Sequence, residues 1–384
     1  MNVSVLGSTG SIGTSTLDVV ARLGRSFAVV GLAAGSNIRL LCEQVERFRP
    51  RLVSVARRED ALILRRRFSG RGPRVAFGPE GAEEVASLPG NDIVVAAITG
   101  TSGLRPTLAA VRAGVRLALA NKESMVVAGA LLRAQASRSG AKIIPVDSEH
   151  SGVFQCLAGG RRRHVRRVIL TASGGPFFRT PARELPTKTV AEVLRHPRWK
   201  MGRKVTVDSA TMMNKGLELM EARWLFNLPP ERLDVLVHPQ SIVHALVEMA
   251  DGSVLAQLSA TDMRLPIQYA LTFPDRAASP VTPLDLAAVR RLEFYPVDER
   301  KFPLFGLARR ALAEGASVPV ALNAANESAV GAFLAGRISF GGLSRVIRSV
   351  MDGHVRRPVP DLEAILAVDR ETREATGRSL EQRW

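Results

Sequence analysis

The chain has 384 residues, 46% of them hydrophobic, with a mean hydropathy of +0.06, which is enough for two or three packed domains and offers no apolar run of membrane-span length. Two cysteines, Cys42 and Cys156, exclude a disulfide framework or a thiolate metal site. The N-terminus enters a strand-like run without a basic leader, so a reducing cytoplasm is the expected location. The net charge of +17 is spread along the chain, aromatic residues are only 5%, and the densest basic run, Arg161–Arg167, is short, which argues for a solvated face and against nucleic-acid binding.

Residues 1–147 alternate apolar runs with helical patterns. Strands are expected at Val3–Leu6, Ala28–Ala33, Leu52–Val55, Ile93–Ala97, Val115–Ala120 and Lys142–Val146, with helices such as Thr14–Leu23 and Leu104–Ala113 between them. Several runs are apolar on both faces, as in a buried parallel sheet, so the region reads as a doubly wound dinucleotide-binding sheet. Between the first strand and first helix lies Gly7-Ser8-Thr9-Gly10-Ser11-Ile12-Gly13, spaced G-x-x-G-x-x-G. Glycines there permit a tight turn and close approach of backbone to a pyrophosphate. After the second strand, Ala33-Ala34-Gly35-Ser36-Asn37-Ile38-Arg39 has no acid for a ribose 2′-hydroxyl. Ser36, Asn37 and Arg39 instead suit a 2′-phosphate, which favours NADPH. Thr99-Gly100-Thr101 and Asn121-Lys122-Glu123 each follow an apolar strand, the position where open α/β sheets bind ligands, so Lys122 and Glu123 are site candidates.

Asp147-Ser148-Glu149 comes next. On a strand end, residues two apart point to one face. Residues 148–273 then read as an α+β catalytic domain, with strands at Val165–Thr171 and Val243–Met249 and a hairpin turn at Asp251-Gly252. Pro176 to Lys204 is expected to be a mobile loop, with the flap proper at Leu194–Lys204 carrying His196 and Trp199. Asn214 and Glu218 are four apart and share a helix face beside Lys215. Asp147, Glu149 and Glu218 would suit Mg2+ or Mn2+, with Co2+ as a further option, because all three offer oxygen. His150, His238 and His244 are not assigned as ligands. Ser173-Gly174-Gly175, Ser209, Asn214 and Lys215 form a candidate phosphate cradle. Residues 274–297 look like a connector. Residues 298–384 read as a helical bundle, with helices at Leu304–Glu314, Pro319–Ala335, Ser339–Met351 and Leu362–Thr376.

Six ordered motifs carry a resemblance: Gly7–Gly13, Leu119–Ser124, Pro145–His150, Thr171–Phe177, His196–Gly202 and Val207–Glu218, joined by Asn323–Glu327 near the end. Together they resemble the 1-deoxy-D-xylulose 5-phosphate reductoisomerase family, which makes 2-C-methyl-D-erythritol 4-phosphate in non-mevalonate isoprenoid biosynthesis. The resemblance implies NADPH, a divalent metal, a mobile flap and a homodimer. It implies Asp147, Glu149 and Glu218 as metal ligands. Lys122, Ser148, Glu149, Ser173, His196, Ser209, Asn214, Lys215 and Glu218 follow as the substrate set, with Lys122, Glu149, His196 and Lys215 nearest the chemistry. Thr9, Gly10, Ser11, Ile12, Gly35, Ser36, Asn37, Asn121, Glu123 and Gly202 follow as NADPH contacts. Ser36 departs from the family pattern, in which many members carry a basic residue beside the 2′-phosphate. A metal-independent dehydrogenase would instead need a nucleophilic cysteine, for which Cys156 is the sole candidate.

Overall fold

The structure, a computed structural model, describes residues 1–70, 72–158, 162–199 and 201–381. Arg161 of the basic run and Lys200 of the expected flap therefore lie outside the described residues. The described residues fall into two compact units.

The first unit comprises residues 1–124, 132–151 and 262–282. It holds seven strands: β1 (Asn2–Leu6), β2 (Ala28–Ala34), β3 (Leu52–Val55), β4 (Arg74–Phe77), β5 (Ile93–Ala96), β6 (Arg116–Leu119) and β7 (Ile143–Pro145). They pair in the order β4-β3-β2-β1-β5-β6-β7, all parallel. The order reverses beside β1, so the Gly-rich turn after β1 lies at the switch point where such sheets bind ligands. Val3, Val5, Leu32, Val53, Ile93, Val94, Val95 and Leu117 are fully buried, as a sheet covered on both faces requires. The strand β4 was not expected: it is short, begins with an arginine and forms the sheet edge, where apolar patterning is weakest.

The helix Arg264–Thr272 belongs to this first unit, although the sequence places it with 148–273. Arg264 pairs with Asp18 at 3.4 Å, and Arg116 Nη1 donates to the Leu271 carbonyl at 2.9 Å. These are long-range contacts that no local pattern announces.

The second unit comprises residues 125–131, 152–261 and 283–384. Its sheet has β8 (Val165–Ala172), β9 (Leu233–Val237), β10 (Val243–Met249), β11 (Val254–Leu258) and β12 (Tyr295–Pro296), ordered β11-β10-β8-β9-β12. β8 and β9 are parallel and the other pairs antiparallel. The expected hairpin at Asp251-Gly252 joins β10 to β11, with Gly252 at φ +86°. The connector is more structured than expected: it contains the turn Leu286–Val289, capped by Asp285, and the edge strand β12.

Helices Pro303–Glu314, Val318–Leu334, Phe340–Asp352 and Leu362–Leu380 form the expected bundle. The loop expected over Pro176–Lys204 is only partly irregular. A 3-10 helix covers Ala182–Thr187 and a helical turn covers Val190–Val193. The turn forms because Thr189 and Glu192 make a reciprocal capping box, a T-x-x-E signal present in the sequence. Arg203 and Lys204 already lie in the helix Arg203–Ala210. Among the described residues no helix is long and apolar enough to cross a membrane.

Candidate active site

At the switch point the Gly7 and Ser8 amides both donate to the Ala33 carbonyl, at 2.8 and 2.9 Å. The turn is thereby tied to the end of β2. Gly7 has φ +85°, and a Cβ there would lie 2.5 Å from the Ala97 carbonyl oxygen. A Cβ on Gly13 would lie 2.2 Å from the Gly7 carbonyl oxygen, so side chains are excluded at both ends of the turn. Gly10 is the N-cap of the helix Ser11–Leu23 and has no side-chain cap, which leaves Thr9, Gly10, Ser11 and Ile12 around an open helix N-terminus. Gln44, missed in the sequence, is buried and donates from Nε2 to the Ser8 carbonyl at 2.9 Å, pinning the turn to the helix Ile38–Phe48. Its only sequence signal is a polar residue on an otherwise apolar helix face.

Beyond β2, Gly35, Ser36 and Asn37 are exposed. Asn37 caps the helix Ile38–Phe48 by accepting from the Leu40 amide at 3.2 Å. The Arg39 side chain is 93% exposed and makes only a 3.4 Å contact with Glu43. A solvated pair of that kind contributes little to folding, so the Arg39 charge stays available to a phosphate. Arg39→Ala is expected to raise the KM for NADPH several-fold while leaving that for NADH nearly unchanged. Steady-state kinetics with both cofactors check this, and a parallel shift in both would make Arg39 structural.

Asn121 and Lys122 follow β6. The Asn121 amide donates to the carbonyls of Ile98 and Gly100, at 2.6 and 3.0 Å, and to Glu123 at 3.1 Å. Its Oδ1 accepts from the Ser124 amide and hydroxyl. The Asn121 side chain therefore locks the β5 loop onto the N-terminus of the helix Lys122–Ser139. Lys122, 8% exposed, reaches Asp147 Oδ2 at 2.6 Å.

The strand reading of Asp147 and Glu149 needs correction. β7 stops at Pro145, and the Asp147 carbonyl accepts from the Ser151 amide at 2.8 Å, so Asp147 opens the helix Ser148–Leu157 and Glu149 lies in its first turn. The helix wins because Ser and Glu suit a first turn. The Ser148 hydroxyl, in turn, donates to Glu149 Oε2. His150 is fully buried, with Nδ1 3.9 Å from Asp147 Oδ2.

In the second unit, Asn214, Lys215 and Glu218 share one face of the helix Met213–Phe226, as their spacing predicts. Asn214 donates to Glu218 Oε1, and Lys215 Nζ lies 2.6 Å from Oε2. Lys215 is 5% and Glu218 1% exposed, so this is a desolvated, charge-assisted cluster. Glu221, one turn on, is fully buried as well. Asp208 is buried too. It pairs with Lys204 at 2.8 Å and accepts from Asn326 at 2.8 Å, so the end of the expected flap is anchored to the bundle.

Ser173 opens the turn after β8, in which Gly174 and Gly175 have φ +79° and +66°. A Cβ on Gly175 would lie 2.7 Å from the Ser209 carbonyl oxygen, so glycine allows this turn to touch the helix Arg203–Ala210, whose N-cap is Gly202. Ser209 is buried there. His196 Nε2 lies 3.1 Å from Ser173 Oγ, while Nδ1 accepts from the backbone amides of Arg198 and Trp199, at 3.2 and 2.9 Å. An accepting Nδ1 places the proton on Nε2, so the neutral ring donates to Ser173. Burial, helped by the nearby Lys215 ammonium, pushes the His196 pKa down to about 4. Trp199 is half-buried, with its ring centroid 6.4 Å from that of His244. Cys156 makes a poor nucleophile, because burial pushes its thiol pKa up.

A Gly-rich turn at the switch point of a parallel sheet, together with buried lysine–carboxylate pairs at Lys122 and Lys215, defines a dinucleotide-dependent enzyme acting on an anionic substrate. The sequence patterns of 1-deoxy-D-xylulose 5-phosphate reductoisomerase match residues 3–129, those of its C-terminal domain residues 143–226, and a further DXP reductoisomerase C-terminal pattern residues 258–375. The reductoisomerase of Geotalea uraniireducens is 52% identical over 97% of this chain and 96% of its own length, and that of Chlorobium chlorochromatii is 50% identical over 97% of each. The Zymomonas mobilis enzyme, solved with NADPH, is 40% identical with a TM-score of 0.93 and covers 100% of this chain and 99% of its own. A DOX-P reductoisomerase solved with NADPH, fosmidomycin and magnesium is 38% identical with a TM-score of 0.94, covering 99% and 98%. The chain belongs to the 1-deoxy-D-xylulose 5-phosphate reductoisomerase family.

Proposed function

We propose that this protein uses NADPH and a divalent cation to rearrange 1-deoxy-D-xylulose 5-phosphate and reduce the product to 2-C-methyl-D-erythritol 4-phosphate. The buried Asn214–Lys215–Glu218 cluster carries the reading, because it puts an ammonium for an anion beside a carboxylate for a cation. Whole-length relatives of that activity support it.

The donor set fits a hard cation. Asp147 and Glu218 each lie against a buried lysine, so each carboxylate is already met by a cation. Asp147, Glu149 and Glu218 would hold the ion, which when bound polarises the substrate's oxygens and stabilises negative charge on them. Thr9, Gly10, Ser11, Ile12, Gly35, Ser36, Asn37, Asn121, Glu123 and Gly202 would hold NADPH, the hydride donor. Ser173, Ser209, Asn214 and Lys215 bind the phosphate, with His196 donating from Nε2–H. Because that binding is remote from the reacting carbons, its free energy can drive closure of the flap and exclusion of water. Ser148 orients Glu149, while Lys122 steadies Asp147 and places a cation beside the substrate's oxygens.

Two copies would form the working unit. Among the described residues the outer edge of β11 has no partner strand, with Val254 53% and Leu255 43% exposed, a surface that strand edges seldom leave bare. Cys42 and Cys156 are free thiols, in keeping with a reducing cytoplasm.

The test is NADPH oxidation with deoxyxylulose phosphate after EDTA treatment and gel filtration, with light scattering on the same preparation to give the mass. Activity should vanish without metal and return with Mg2+ or Mn2+, from a species of two chains. Full turnover in the stripped protein would sink the metal assignment, and no turnover with either ion would sink the reaction.

A further inference from the structure

The loop between β9 and β10, residues 238–242, receives the flap: Arg198 Nε donates to the Pro239 carbonyl at 3.3 Å, and Trp199 approaches His244 at the start of β10. The segment 291–295, which the sequence reads as a plain connector, also grips this loop. His238 is fully buried, its Nδ1 lies 2.8 Å from the Glu293 carbonyl, and its ring stacks on Phe294 with centroids 4.7 Å apart and planes at 17°. Gln240 Nε2 donates to Glu293 Oε2 at 2.9 Å, and the Glu293 amide donates back to Gln240 Oε1 at 3.3 Å. The Glu293 carboxylate also accepts from Arg291 and, at 3.1 Å, from the Tyr295 hydroxyl, while Tyr295 pairs with Val237 in the sheet. These partners hold its pKa below the ordinary carboxylate value. Ser241 beside them is buried at φ +53°, a conformation that a non-glycine residue keeps only when its surroundings impose it.

We propose that Glu293 and Phe294 are positioning residues for substrate binding: they hold the 238–242 loop in the shape that seats the flap. The inference rests on the proposed reaction and on the flap's part in it. Neither residue belongs to the core. Phe294 is 39% exposed, and the Glu293 side chain 18%. Their contacts converge on the loop, so loosening them should weaken flap closure without touching the reacting groups.

Wild-type turnover is measured first, which isolates failure of the reaction itself. In Glu293→Ala and in Phe294→Leu, the KM for deoxyxylulose phosphate and the Kd for fosmidomycin should then rise roughly five- to tenfold, the scale of one ordinary intramolecular hydrogen bond. In both, kcat should stay within twofold and NADPH affinity should be unchanged. Glu293→Gln, which keeps an acceptor for Gln240, should restore KM to within twofold of wild type. A fall in melting temperature with no change in KM would overturn the proposal. So would equal losses in KM for substrate and in affinity for NADPH, a loss confined to kcat, or failure of the glutamine variant to rescue.

Discussion

Glu218→Gln is expected to lower kcat/KM by about 10²–10⁴-fold, through the charge it removes more than through its shape. Glu218 accepts from Asn214 on one oxygen and from Lys215 on the other, and is almost wholly buried. Glutamine is isosteric but neutral, so Lys215 would be left as a desolvated cation without its counter-charge. Removing one partner of a buried pair costs about 3–5 kcal/mol, which corresponds to the stated range if it falls on the transition state. Steady-state kinetics with a melting curve check it. The exposed Glu231→Gln is the control, because the neighbouring Glu221 is itself buried. Equal activity in the two variants would remove Glu218 from the site.

Acid should unlatch the flap through His196. Its Nδ1 accepts two backbone amides, so a proton there would set three N–H groups against one another. The folded pKa of about 4 lies below the ordinary imidazole value of 6.5. Between those values the unfolded segment binds a proton that the folded one does not. The latch is therefore at full strength above pH 6.5 and is lost as pH falls towards 4. Amide exchange at Trp199, corrected for its intrinsic pH dependence, should lose protection across that window, and kcat/KM should fall with it. His196→Gln should abolish the pH dependence of protection. An unchanged profile in that variant would assign the transition to another group.

Much of this was legible because the chemistry is local. The i, i+4 spacing of Asn214 and Glu218 puts them on one helix face, and the apolar runs of β1, β2, β3, β5, β6 and β7 carry the parallel sheet. The T-x-x-E box at Thr189–Glu192 is equally local but is masked by the polar, proline-containing stretch around it. What stayed hidden depends on distant partners. Gln44 reaches Ser8 across 36 positions, Asp208 meets Asn326 across 118, and Gln240 meets Glu293 across 53. Short edge strands such as β4 and β12 also escaped, since two to four residues hold too little alternation to stand out. Asp147 and Glu149 read as sharing a strand face because the apolar run continues to Val146, but Pro145 ends the strand before them.

The Lys215–Glu218 pair has a thermodynamic corollary. One carboxylate cannot satisfy an ammonium and a divalent cation at full strength together. A cation drawn to Glu218 loosens its hold on Lys215 and frees that ammonium for a phosphate, while a phosphate drawn to Lys215 frees Glu218 for the cation. The two ligands are then positively heterotropic, and by reciprocity each must tighten the other by the same factor. With cation and phosphate bound as proposed, the pair would act as a mutual placeholder, each charge compensating the other until its own ligand arrives.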